Sequence, residues 1–311
     1  MKKLVIASDT FKGTLSSKEI ADLFEEQLKI VSPKTELQKV VLGDGGENTL
    51  DVFANSFPNG QYHSVKVFGP NFQKVGAKYF AYDKYAVIEL AEASGLALSN
   101  PQNPMITTTY GVGELILDAY KKGYRSFYVA LGGSSTTDGG CGLLSALGVK
   151  FYNRDNETFV PTGGKLSEIV KIDDKDLLVK DAHFIILSDV TNPMFGPKGA
   201  AYVFAKQKGA DNEEIRLLDN NLKRLNNLFI KFAKKHVKDI PGSGAAGATS
   251  SGMLAFLNAE IVSGIDTILE IIHFDEIIKD ADYVITGEGK LDSQSFNGKL
   301  ISGERRVYHQ S

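Results

Sequence analysis

Phe127-Tyr128-Val129-Ala130-Leu131-Gly132-Gly133-Ser134-Ser135-Thr136-Thr137-Asp138-Gly139-Gly140-Cys141-Gly142 runs an apolar stretch directly into glycines and hydroxyls. Leu143, Leu144 and Leu147 follow at helical spacing. A short apolar run bounded by glycine reads as a buried strand. A strand that empties through small residues into a helix exposes backbone N–H groups to an anion: glycine permits close approach, and the helix start favours negative charge. Ser and Thr hydroxyls add donors, and Asp138 adds a carboxylate at the helix start. Ordered apolar segments on both sides argue against a flexible Gly/Ser linker.

Toward the N-terminus, residues 3–8 read as a strand, and Ser16-Ser17-Lys18-Glu19 is a capping box. The helix it opens places Ile20, Leu23, Phe24 and Leu28 on one face. A strand over 37–42, the turn Gly43-Asp44-Gly45-Gly46 and a helix through Leu50, Phe53 and Ala54 follow. This β-α-β-α order predicts a doubly wound parallel sheet. Strands over 62–68, 74–82 and 86–90 then come without intervening helices, as in an antiparallel portion of a second domain. A helix over 112–122 leads to the opening strand. Further along, the pattern predicts a strand over 184–188, a long helix over 212–238, and a mostly helical stretch over 244–272 broken near Ser263-Gly264. Tyr283-Val284-Ile285-Thr286 resembles the first strands in character, so the chain is expected to return to the first sheet.

Ligands of doubly wound sheets bind beyond the carboxyl ends of strands. Five strand ends here lead into loops with an acid: Asp9-Thr10-Phe11-Lys12, Asp44-Gly45-Gly46-Glu47, the Gly132–Asp138 loop, Ser188-Asp189-Val190-Thr191, and Gly287-Glu288-Gly289-Lys290-Leu291-Asp292. Lys12, Lys290 and, downstream of Asp189, Lys198 accompany them. One Asp-Gly-Gly turn means little alone; the recurrence suits phosphoryl transfer. In that chemistry carboxylates hold Mg²⁺, amides and lysines hold phosphates, and an Asp takes the proton of the attacking hydroxyl.

Bulk properties narrow the alternatives. The 311 residues are 42% hydrophobic and 23% charged, ordinary for a globular protein of roughly two domains. Net charge is −3, which offers no basic field for nucleic acid. No apolar run approaches the roughly 20 residues that cross a bilayer, so no membrane partner is expected. The single cysteine, Cys141, excludes an internal disulfide and suits a reducing cytoplasm. The five histidines lack zinc spacing, and no Gly-x-x-x-x-Gly-Lys-Ser/Thr segment occurs. Gly242-Ser243-Gly244-Ala245-Ala246-Gly247 fits the Gly-x-Gly-x-x-Gly dinucleotide pattern, but Lys238-Asp239-Ile240-Pro241 before it is no strand. An NAD(P)-linked oxidoreductase is therefore the first rival reading.

Taken together, Asp9–Thr14, Asp44–Glu47, Glu89–Leu96, Thr109–Leu115, Gly132–Gly142, Ser188–Pro193, Pro241–Gly247 and Ile285–Asp292 resemble the bacterial glycerate kinases that make 2-phosphoglycerate. The segments keep the family's order and span nearly the whole chain. The resemblance implies ATP, Mg²⁺ and D-glycerate, with room for a homodimer. It implies a two-domain α/β fold: a flavodoxin-like doubly wound parallel sheet from residues 1–65 and 275–311, and an inserted mixed α/β domain from 66–274. The sequence departs from the family pattern at Gly43, Asn48, Ser135 and Thr137, each small or polar. The ending Leu300–Ser311 also departs, which reads as truncation or frameshift, with a catalytically inactive homologue as the second rival.

On this reading Asp189 and Asp44 supply the general base and a Mg²⁺ ligand, in either order, with Asp292 as a further metal ligand. Lys12 and Lys290 neutralise phosphate or the glycerate carboxylate. Gly132, Gly133, Ser134, Ser135, Asp138, Gly287 and Glu288 line the nucleotide site.

Overall fold

The first apolar run forms β1 (Lys3–Ser8) in the computed structural model, which describes residues 2–8, 14–43, 46 and 48–287. α1 (Ser17–Val31) starts through the expected capping box: the Ser16 hydroxyl accepts from Glu19 N at 3.2 Å, and the Glu19 carboxylate accepts from Ser16 N at 2.8 Å. Ser17 and Ala21 are its buried residues, while Leu23 is 49% exposed, so the packed stripe is rotated from the expected one. β2 (Glu36–Val41), α2 (Thr49–Ser56), β3 (Gln61–Phe68), β4 (Lys74–Tyr82) and β5 (Tyr85–Glu89) follow, then α3 (Ala91–Ser94), α4 (Tyr110–Lys121), β6 (Ser126–Ala130) and α5 (Cys141–Ala146). β7 (Lys150–Tyr152), β8 (Thr158–Phe159), β9 (Lys171–Asp173), β10 (His183–Leu187), α6 (Ala200–Phe204) and α7 (Asn212–Ala233) come next. The last elements are α8 (Ala245–Phe256), β11 (Asn258–Val262), α9 (Gly264–Ile271), α10 (Phe274–Ile278) and β12 (Tyr283–Gly287).

The architecture is two-domain α/β. A three-stranded parallel sheet has the order β12-β1-β2, so the chain does return to its first strand. A six-stranded mixed sheet has the order β11-β10-β6-β5-β4-β3, antiparallel only at the β3–β4–β5 end. The small antiparallel sheet β8-β7-β9 has no counterpart in the sequence reading. Its strands of three, two and three residues are too short to show a period.

Two other expectations need correction. The stretch 244–272 is mostly helical as expected, in α8 and α9, but the break before Gly264 holds a strand: β11 pairs in parallel with β10 along the edge of the large sheet. Its alternation of outward Asn258 and Glu260 with inward Ala259 and Ile261 is hidden between two helices. The long helix stops at Ala233 rather than at 238, because Lys234 turns left-handed at φ 58°. Its start is fixed by a second capping box, Asp211 with Glu214.

α2 and α9 lie between the sheets. Val52 of α2 and Ile265, Ile268 and Leu269 of α9 pack on Val5 and Val40 of the small sheet. Leu50 and Phe53 of α2 pack instead on Phe80, Val87 and Leu187 of the large one. The other face of the large sheet carries the main core, including Phe127, Phe184 and Phe229.

Candidate active site

The parallel strands β5, β6, β10 and β11 end in one row: Glu89 pairs with Ala130, Ala130 with Leu187, and Leu187 with Val262. Their outgoing loops therefore share one edge, where a doubly wound sheet binds its ligand.

The Gly132–Asp138 loop has a tied lower half and an open upper half. Ser135 donates both its N–H and its hydroxyl to Ser94 O, at 3.0 and 2.9 Å, and Leu96 N donates to Gly133 O at 2.9 Å. The donors of Ser135 are thus spent on the scaffold. Among the described residues, the amides of Gly132, Gly133 and Ser134 make no hydrogen bond, and Gly133 is exposed. This is the anion-receiving part of the loop.

Asp138 faces inward and is 0% exposed. Its carboxylate accepts from Thr109 N and Thr109 Oγ1, both at 2.8 Å, from Gly140 N at 3.0 Å and from Gly142 N at 3.2 Å. Burial pushes its pKa up, and these four donors pull it down. Its chemistry here is to pin the loop to the starts of α4 and α5. Cys141 beside it is buried, which pushes its thiol well above the usual range and away from nucleophilic use.

Lys208, which the sequence reading did not single out, lies beneath the same loop at 3% exposure. Its Nζ donates to Ser134 Oγ at 2.8 Å and to Thr136 O at 2.7 Å. Burial lowers its pKa to about 7, against the opposing pull of the Asp138 charge. In sequence it stands in Lys206-Gln207-Lys208-Gly209, which reads as solvated charge. A folded pKa below the ordinary 10.5 means that between pH 7 and 10.5 the unfolded chain binds the extra proton, so this group's contribution to stability rises with pH. Lys208→Met removes that contribution. Its stability relative to wild type is expected to be most favourable below pH 7 and to decline toward pH 10 by up to about 1.4 kcal/mol per unit, read from urea unfolding at several pH values.

The Gly242–Gly247 segment packs against this loop from the other side. Gly244 N donates to Asn192 O at 2.8 Å, and Gly139 N donates to Gly247 O at 3.1 Å. Ala246, Gly247 and Ala248 are all left-handed, at φ 51°, 63° and 65°, before the regular turns of α8 begin. α7 ends at Ala233 and residues 238–244 are turns, so the strand demanded by a dinucleotide motif is missing before Gly242.

Asp189, half-buried two residues beyond β10, seats the N-terminus of α9. Its Oδ1 accepts from Ser263 Oγ at 2.9 Å and Gly264 N at 3.0 Å, and its Oδ2 from Ile265 N at 3.1 Å. Glu89, at the end of β5, is 7% exposed and accepts from Leu50 N at 3.3 Å near the start of α2. A Cβ on Gly132 would collide with the Gly46 Cα, so loops of the two sheets touch here. Gly287 ends β12, where its carbonyl accepts from Ser8 Oγ at 3.0 Å. Asp44, Lys12, Lys290, Glu288 and Asp292 lie outside the described residues. Among the described residues no three His, Cys, Asp or Glu side chains gather as a metal cluster. A cavity of about 330 Å³ opens near the start of α1, lined by Ser16, Lys18, Asn48, Asp51 and Tyr62 among others. None of the predicted site residues among the described ones lines it.

The glycerate kinase family model matches residues 4–310. The chain is 42% identical to a glycerate kinase of Bacillus cereus, covering 99% of this chain and 83% of that one. It is 38% identical to the glycerate 2-kinase of Escherichia coli strain K12, again covering 99% and 83%. A crystal structure described as glycerate kinase 2, from Salmonella typhimurium LT2, superposes with a TM-score of 0.85 at 36% identity, over 99% of this chain and 84% of that one. The family model spanning residues 4–310 and the relatives of 38–42% identity over 99% of the chain place the protein in the glycerate kinase family.

Proposed function

We propose that the chain transfers the γ-phosphoryl group of ATP to D-glycerate, giving 2-phosphoglycerate, at the edge where the two sheets meet. The observation that carries this reading is the loop Gly132–Ser134, whose amides make no hydrogen bond among the described residues and whose Gly133 is exposed, while Asp138 and Ser135 fix the backbone beneath. Such a loop receives phosphate oxygens without rearranging, and preorganised donors of this kind are the main protein contribution to phosphoryl transfer. The carboxylate-bearing strand tips fit Mg²⁺, which takes one or two carboxylates and completes its shell with phosphate and water oxygens. Asp189 would hold it together with Asp44 or Asp292, and bound there the ion would neutralise phosphate charge. The alternative assignment gives Asp189 the glycerate hydroxyl proton. In both, the three donors from Ser263, Gly264 and Ile265 fix the direction of its carboxylate.

The test is a coupled assay of ATP and D-glycerate, with the product position read by NMR. Asp189→Asn is expected to lower kcat by about 10²-fold or more, the usual value of a positioned base. A thermal melt run alongside separates this from loss of the α9 seat. Turnover equal to wild type would remove Asp189 from the reaction. In a parallel incubation of D-glycerate with NAD(P)⁺, NAD(P)H formation without ADP release in the ATP assay would overturn the kinase reading altogether.

A further inference from the structure

Ser134 stands on a buried ammonium. Lys208 reaches it from beneath, with two bonds, to the Ser134 hydroxyl oxygen and to the Thr136 carbonyl. Ser134 Oγ accepts from Lys208, so its own proton points elsewhere; the residue is 8% exposed, and its amide is also unengaged. One residue thus holds two donors with no acceptor among the described residues. The Thr136 carbonyl that takes the second bond is covered by Gly247, where even a Cβ would collide. No acid is hydrogen-bonded to the Lys208 ammonium among the described residues. A buried ammonium without an ion pair is costly, so the free protein tends to leave this amine neutral and a negative charge bound nearby favours its protonated form.

We propose that Lys208 is a positioning residue of the phosphate loop: it turns the Ser134 hydroxyl toward the bound nucleotide and, protonated when that anion is bound, places a positive charge under this part of the loop. The inference rests on the reading of this loop as the ATP phosphate site. Lys208 touches no reacting atom. It acts through Ser134, and it concerns the nucleotide rather than the glycerate.

The experiment uses the full chain as wild type, Lys208→Met, Lys208→Arg, Ser134→Ala and the Ser134→Ala/Lys208→Met double variant. ATP affinity is measured by calorimetry, and kcat and KM are measured for both substrates. Lys208→Met is expected to weaken ATP binding by about tenfold or more, the value of one charge-assisted hydrogen bond, with KM for glycerate within about twofold of wild type. Ser134→Ala is expected to cost a similar factor, and the double variant no more than the worse single, because the two side chains act as one unit. Lys208→Arg is expected to recover part of the loss. Unchanged ATP affinity in Lys208→Met overturns the proposal, as do losses that multiply in the double variant. Should Lys208→Met fail to fold, Ser134→Ala decides: wild-type ATP affinity in that variant overturns the proposal. Wild type that binds ATP but leaves glycerate untouched refutes the acceptor assignment alone, and the affinities still judge Lys208. Wild type that binds no ATP refutes both.

Discussion

Gly247→Ala is expected to lower the thermal midpoint by roughly 5 °C, the shift that about 3 kcal/mol produces in a chain of this size. Two penalties combine. Gly247 has φ 63°, a region that costs an L-residue about 1–2 kcal/mol. The new Cβ would also strike the Thr136 carbonyl oxygen and the Thr137 Cα. These are backbone atoms, and Lys208 and the Asp138 pins hold that backbone in place. Overpacking against an unyielding wall costs about 1–3 kcal/mol. Gly76→Ala is the matched control: an added Cβ there meets nothing within 4 Å. Differential scanning calorimetry on both variants tests the claim, and equal midpoints for the two would refute the interlocking of the loops.

Asp138→Ala is expected to be comparably damaging, at roughly 3–5 kcal/mol, because it strands several buried donors at once. Thr109 N, Thr109 Oγ1, Gly140 N and Gly142 N all lose their acceptor. Thr109 and Gly142 lie on different helices, so the loop loses its joint to α4 and α5 together. Asp138→Asn keeps one acceptor oxygen but turns an NH₂ toward other donors, so it is expected to recover only part. Urea unfolding with a parallel activity assay reads both effects. A wild-type midpoint in Asp138→Ala would refute the pinning role.

The contrast between Asp138 and Lys208 shows what the sequence could express. Glycines and hydroxyls after an apolar run announce an anion loop because local chemistry alone requires them there. The direction an acid faces is settled by distant partners. Asp138 reads from the chain as a carboxylate open to ligand, yet Thr109, 29 positions away, turns it inward. Lys208 reads as surface charge, yet it is drawn 74 positions back to Ser134. Strands β1, β6 and β10 were legible because each is an apolar run ended by turn chemistry, and β2 because its Val40-Val41-Leu42 empties into the glycine turn at 43. β11 was not, since five residues with two polar ones carry little signal between helices. The left-handed turn at Ala246 and Ala248 was equally silent, because alanine favours right-handed helix and only tertiary packing imposes the opposite hand.

The pairing of β1 with β12 also dictates a timetable for biosynthesis. Leu4 finds its neighbour Tyr283 only after the residues between them have been synthesised, on the order of tens of seconds at common elongation speeds. The six-stranded sheet, drawn wholly from residues 61–262, has all its pieces earlier. β1 is made before every strand of the large sheet and gains its β12 neighbour after all of them, so one side of it stays the nascent chain's sticky border until β12 emerges.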